Sequence, residues 1–143
     1  MASFKGSFRH ALDAKGRVAI PARVRRSDDG AHDRFVLAPG LDRCVYAYPP
    51  DEWRVLEDRL RAMSFEKSSQ RRYARLLLSR AADVALDKQG RVMVPAELLS
   101  YARITGEVLI VGALDHLELW SPEAFDAYEA DGPSYEQVAE SLF

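Results

Sequence analysis

The sequence predicts an α+β fold made of two tandem units, and three observations predict it. An eleven-residue stretch occurs twice, β-branched runs bracket a tight-turn signal in each copy, and an amphipathic helical segment separates the copies. The repeated stretch is Leu12-Asp13-Ala14-Lys15-Gly16-Arg17-Val18-Ala19-Ile20-Pro21-Ala22. It returns as Leu86-Asp87-Lys88-Gln89-Gly90-Arg91-Val92-Met93-Val94-Pro95-Ala96, with seven of the eleven positions identical.

The elements follow in order. Phe4, Phe8 and Leu12 fall at even positions, a period-two pattern that predicts a strand leading into the first copy. Asp13 and Asp87 open a type I turn, where a carboxylate accepts from backbone N–H groups ahead of it. Gly16 and Gly90 close it at the positive φ of a bulged hairpin. Arg17-Val18-Ala19-Ile20 and Arg91-Val92-Met93-Val94 are then the returning strands, so each motif arginine stands just after a hairpin tip. Pro21 and Pro95 end those strands and suit the first turn of a helix, with Pro95-Ala96-Glu97-Leu98-Leu99 the stronger start and Pro21 to Arg26 its basic counterpart. The polar stretch from Ser27 to Arg34, with Asp28-Asp29-Gly30, reads as a loop. Phe35-Val36-Leu37 answers Val108-Leu109-Ile110, and Cys44 to Pro49 answers Leu117 to Pro122, which predicts a second hairpin per half.

Trp53, Leu56, Leu60 and Met63 share one helical face over 51–63, with Glu57 and Arg61 spaced to pair. A second helix is expected from Ser68 or Ser69 to Ser79. The predicted organisation is a first module over 7–53, a helical connection over 54–80, a second module over 81–124, and an acidic tail or short helix over 125–143.

The overall charge of −2 hides an asymmetry. Residues 1–26 hold seven basic residues against Asp13 alone, whereas residues 104–143 hold nine acids and neither Lys nor Arg. The absence of an apolar run near 18 residues and of an apolar N-terminal block predicts a cytoplasmic protein without membrane contact. Cys44 and the scattered His10, His32 and His116 give no metal-ligand spacing, so no metal or cofactor is expected. No nucleophile elbow, phosphate-binding loop or paired histidines are present, and Asp13 and Asp87 are accounted for by their turns; the reading is not an enzyme.

Turn geometry requires the Asp and the Gly but not the Arg that follows in both copies. That arginine is either kept for a partner or pairs with the aspartate of its own hairpin. Cationic tips on β-ribbons fit the DNA major groove, where arginine bonds bidentately to guanine O6 and N7 and lysine serves phosphate. Arg17, Lys15, Arg91 and Lys88 are therefore the candidate DNA contacts, joined by Arg9 of the same basic segment. Single tips bind weakly, and an assembly displaying several would gain by effective concentration.

The twin D-x-x-G-R turns, each followed by a β-branched strand and Pro-Ala, resemble the MraZ family, as do Leu41-Asp42, Tyr46 to Pro49, Leu114-Asp115-His116 and Trp120. The resemblance covers nearly the whole chain. It implies two tandem SpoVT/AbrB-like β-hairpin modules forming one pseudo-twofold double-split β-barrel with connecting helices. It also implies a nucleoid-associated repressor of the division and cell-wall gene cluster, its own gene included. Such a regulator binds G-containing direct repeats in double-stranded DNA as a ring-shaped, octamer-like homo-oligomer. The family pattern places DNA contacts on Lys15 and Arg17 and on Lys88 and Arg91, with Gln89 standing where the first copy has Lys15. A scaffold whose basic faces bind acidic proteins is the alternative.

Overall fold

The structure, a computed structural model, describes residues 2–24, 26–27, 30–31 and 33–143, with the side chains of 25–32 left aside. Arg25 of the basic segment, Asp28 and Asp29 of the expected loop, and His32 fall outside the described residues. The strands are β1 (Ser7–Ala11), β2 (Arg17–Ala19), β3 (Arg26–Ser27), β4 (Gly30–Ala31), β5 (Arg34–Pro39), β6 (Val45–Tyr48), β7 (Ala82–Ala85), β8 (Arg91–Met93), β9 (Glu107–Gly112) and β10 (Leu117–Trp120). The α-helices are α1 (Pro50–Arg61), α2 (Ser68–Leu78), α3 (Ala96–Ala102), α4 (Pro122–Asp131) and α5 (Tyr135–Leu142). The fold is α+β, with a mostly antiparallel sheet.

Strand pairing departs from the hairpin expected across each motif turn. The six-stranded sheet runs β1-β9-β10-β6-β5-β7, and β2 and β8 form a separate two-stranded ribbon. β1 and β2, expected to pair as a hairpin, therefore lie in different sheets and meet at a corner. Each half's leading strand is given to the other half: β1 pairs with β9, and β7 with β5. The expected second hairpins, β5–β6 and β9–β10, do form within their own halves. The register of β2 on β8 repeats the sequence duplication, since Val18 lies opposite its own counterpart Val92. Local patterning set each strand's inward face, while the partner was set by which pairing buries both copies' β-branched residues together.

That burial is the main core. Val18, Ile20, Val92 and Val94 from the two motif strands pack with Leu37, Val45, Val108, Ile110, Leu117 and Leu119 of the sheet. Leu98 and Ala102 of α3 join them. The opposite sheet face is covered unevenly. Trp53, Leu56 and Leu60 of α1 and Leu77 of α2 close over Ala38 of β5, so β5 is buried on both faces. On the second half α4 lies against β9, with Phe125 set edge-on to Trp120 at 5.1 Å between ring centroids. Between them His116 packs on Tyr46 (4.3 Å) and bridges Asp115 (2.6 Å) and Glu118 (3.3 Å). Burial of that ring opposes its charge, but the bonds to Glu118 and Asp115 prevail and raise its pKa above the usual imidazole value.

Several local expectations change in the structure. Pro21 opens only a 3-10 turn, Ala22–Val24, where Pro95 opens a full helix. Val24 and Leu98 are the matching buried anchors, but Leu99 packs against the core where the first copy has Arg25, so only the second segment has apolar residues enough to hold a helix. Arg61 pairs with Asp58 at 3.3 Å rather than with Glu57. The polar stretch after Arg25 contains the short β3–β4 pairing. The acidic C-terminus is helical, with a capping box in which Ser134 and Gln137 satisfy each other's backbone N–H.

Because each half lacks a sheet strand without the other, a fragment spanning residues 1–80 is expected to be unfolded or to dimerise by supplying the missing strands to itself. Sedimentation with an NMR amide spectrum checks this; a monomer with dispersed amide resonances would contradict it.

Candidate nucleic-acid interface

The two turns are built alike. Asp13 Oδ1 accepts from the backbone N–H of Lys15 (2.9 Å) and Arg17 (2.8 Å), and Oδ2 accepts from Arg17 Nε (2.7 Å). Asp87 repeats this with Gln89 N (2.9 Å), Arg91 N (3.0 Å) and Arg91 Nε (2.9 Å). In each turn the Gly N–H donates to the Asp carbonyl, and the Asp N–H donates to the Arg carbonyl. Gly16 (φ 83°) and Gly90 (φ 75°) take the left-handed conformation that closes the turn. A Cβ on Gly16 would also stand 3.2 Å from the Val94 carbonyl.

The glycines tie the copies together. Val94 N–H donates to the Gly16 carbonyl and Ile20 N–H to the Gly90 carbonyl, both at 2.9 Å. These two bonds extend the three-residue ladder of β2 and β8. Val18 and Val92 point to the core, so alternation sends Arg17, Ala19, Arg91 and Met93 to the outer face. Arg17 lies opposite Met93, and Arg91 opposite Ala19. Asp13 Oδ2 stands 3.8 Å from Arg91 Nη1, so it faces arginines of both copies.

The pairing of each arginine with its own turn aspartate, one of the two alternatives open from the sequence, is thus present. The backbone N–H of Arg17, followed by its side chain and the N–H of Lys15, holds the Asp13 carboxyl below the usual carboxylate range, against a desolvation that works the other way. Asp87 is lowered in the same manner by Arg91 and Gln89. The arginine side chains stay 28% and 29% exposed. A guanidinium carries five N–H donors; Nε is the atom hydrogen-bonded to its own aspartate, Arg91 Nη1 also faces Asp13 at 3.8 Å, and the other Nη donors make no hydrogen bond among the described residues. Lys15 and Lys88 are exposed on the turns and make no ion pair among the described residues.

Arg9 is placed elsewhere. It is exposed on β1, opposite Leu109, where its charge acts on Glu123 at the start of α4. Arg23 of the basic segment lies over the Phe8 ring at 4.9 Å. Met93 was not singled out from sequence, yet it is 52% exposed between the two arginines. Its signal was the Ala19-to-Met93 exchange inside an otherwise well-kept motif.

A family model described as "MraZ protein, putative antitoxin-like" matches the chain twice, at residues 3–76 and 77–142. The chain belongs to the MraZ family. It is 43% identical over 140 residues to a protein of Natranaerobius thermophilus named "Transcriptional regulator MraZ", covering 97% of this chain and 96% of that one. Proteins of the same name from Heliobacterium modesticaldum (43% over 140 residues) and Clostridium beijerinckii (40% over 139 residues) are matched over the same shares of both chains. The two family matches meet at residues 76 and 77, in the last turn of α2, and so place α1 and most of α2 in the first unit and α4 and α5 in the second.

Removal of the turn carboxylate, as in Asp13→Ala, is expected to lower stability at neutral pH. A carboxylate whose folded pKa is depressed stabilises above its unfolded value, near 4, and that contribution is lost as pH falls through the folded value. The gap between wild type and Asp13→Ala in urea melts should therefore narrow below pH ~4; a gap that widens in acid would contradict the clamp.

Proposed function

We propose that this MraZ-family chain is a transcriptional regulator that binds DNA through the outer face of the β2–β8 ribbon and its turns. The single observation that supports this most is the pair of arginines fixed by their own aspartates beside the exposed Lys15 and Lys88. An Asp-held guanidinium has already lost rotamer freedom, so docking its Nη donors on guanine O6 and N7 costs less ordering. Lys15 and Lys88 serve the phosphates as point charges. Relatives carrying the name of a transcriptional regulator support the same reading.

In this reading Asp13, Gly16, Asp87 and Gly90 shape the turns, and Arg17, Arg91, Lys15 and Lys88 contact DNA, with Arg9 an outlying phosphate contact. The modules 7–53 and 81–124, joined by the helices of 54–80, are SpoVT/AbrB-like units, and the sheet and ribbon together form one double-split barrel. The protein acts in the cytoplasm on the nucleoid, as a ring of identical chains. It represses the division and cell-wall cluster, including its own gene, by binding short G-containing direct repeats. The first head, with Lys15 where the second has Gln89, is the stronger reader.

Arg17→Ala is expected to cost roughly 1–3 kcal/mol per contacted guanine, with Lys15→Ala weakening binding uniformly and reducing the salt slope by about one. Gel shifts on repeat DNA and on repeats with G replaced by A check both. Unchanged affinity of Arg17→Ala for the intact repeats, or binding indifferent to salt, would overturn the assignment.

A further inference from the structure

The outer face of the β2–β8 ribbon presents Arg17 and Ala19 from β2 and Arg91 and Met93 from β8. The arginines are clamped by their turns, and Ala19 ends at Cβ. The Met93 side chain belongs to neither apolar cluster of the fold and stands 52% exposed. A single exposed apolar side chain is ordinary on a protein surface, so exposure alone decides nothing; position does. Met93 lies directly opposite Arg17 in the ladder, whereas its duplicate, Ala19, lies opposite Arg91. The two arginines therefore have unlike neighbours across the ribbon.

Directly opposed side chains of an antiparallel pair stand about 5 Å apart, and stacked base pairs recur about every 3.4 Å. A ribbon that seats Arg17 on a guanine therefore brings Met93 over the adjoining base pair. The major-groove edges there present hydrogen-bond donors, acceptors and one apolar group, the C5-methyl of thymine. Over any other edge a thioether chain desolvates a donor or acceptor and returns no bond. Over the methyl group it removes apolar surface from water. Methionine is unbranched and polarisable, so it can follow the groove floor to make that contact. Ala19 is shorter by the whole thioether and gives Arg91 no such companion.

We propose that Met93 is a specificity-determining residue, its side chain packed on the C5-methyl of a thymine in the base pair adjoining the guanine bound by Arg17. This rests on the proposed reading of DNA by the ribbon and deepens it. The Arg17–Met93 pair reads a guanine together with a neighbouring thymine, whereas Arg91 beside Ala19 reads guanine without the methyl requirement. A duplication that kept the arginine and changed its neighbour thereby gives one chain two unlike reading heads.

The test titrates full-length wild type and Met93→Ala, by fluorescence anisotropy, against a duplex carrying one G-containing repeat. The duplex is made once with thymine and once with deoxyuridine throughout, which removes only the methyl groups. Met93→Ala should keep the wild-type melting curve, since the duplicated position already holds alanine in the same ladder. One buried methyl group corresponds to about a fourfold change in affinity. Wild type should lose about that much on the deoxyuridine duplex. Met93→Ala should bind the thymine duplex about as weakly, and deoxyuridine should cost it nothing further. An equal loss in both proteins, which reports DNA shape, or no loss in wild type would overturn the assignment. Arg17→Ala on the thymine duplex separates this from the broader reading. If Arg17→Ala weakens binding while Met93 and the methyl group show no coupling, only the Met93 assignment falls. If Arg17→Ala binds as wild type does, the ribbon is not the reading surface and the inference falls with it.

Discussion

The short ladder between β2 and β8 is the interaction on which the rest depends. It sets Val18 against Val92, closes on the reciprocal bonds of Gly16 and Gly90, and directs four β-branched side chains into one core. The same alternation that buries the valines puts Arg17 and Arg91 on the outer face. A one-residue slip of this ladder would exchange valines for arginines in the core, so its register is held strongly. Stability and presentation of the cations are two faces of a single constraint.

The aspartates link the local and the global. Each carboxylate shapes its own turn through two backbone N–H groups and with its second oxygen grips the arginine that follows. Partly exposed ion pairs of this kind contribute little to stability, so the clamp is better explained by orientation than by holding the fold. The cross-copy approach of Asp13 to Arg91 brings the two heads into one cluster, and Met93 gives that cluster an apolar element the first copy lacks.

Much of this was legible in the sequence for identifiable reasons. The Asp and Gly of the turns, the alternating strands, the Trp53-Leu56-Leu60 face and the helix after Lys67 are encoded locally, within a few residues. The exchange of β1 and β7 between halves was not, because a strand's pattern says which face is buried but not which strand lies beside it. The weak helix after Pro21 came down to Arg25 standing where the second copy has Leu99. The state of the arginines was open for a related reason: the four-residue spacing from Asp to Arg permits both a free and a clamped guanidinium, and only the closed turn brings Nε to the carboxylate. The C-terminal helix was ambiguous because its apolar stripe faces no part of its own chain.

The measurement that most directly tests the clamped-arginine reading is the arginine side-chain 15N–1H spectrum with and without repeat DNA. Arg17 and Arg91 Nε–H signals are expected to be protected already in the free protein, and the DNA should then shift their Nη signals while leaving Nε bonded. If the arginines of α1 and α2 shift instead and Arg17 and Arg91 stay unmoved, the ribbon is not the reading surface.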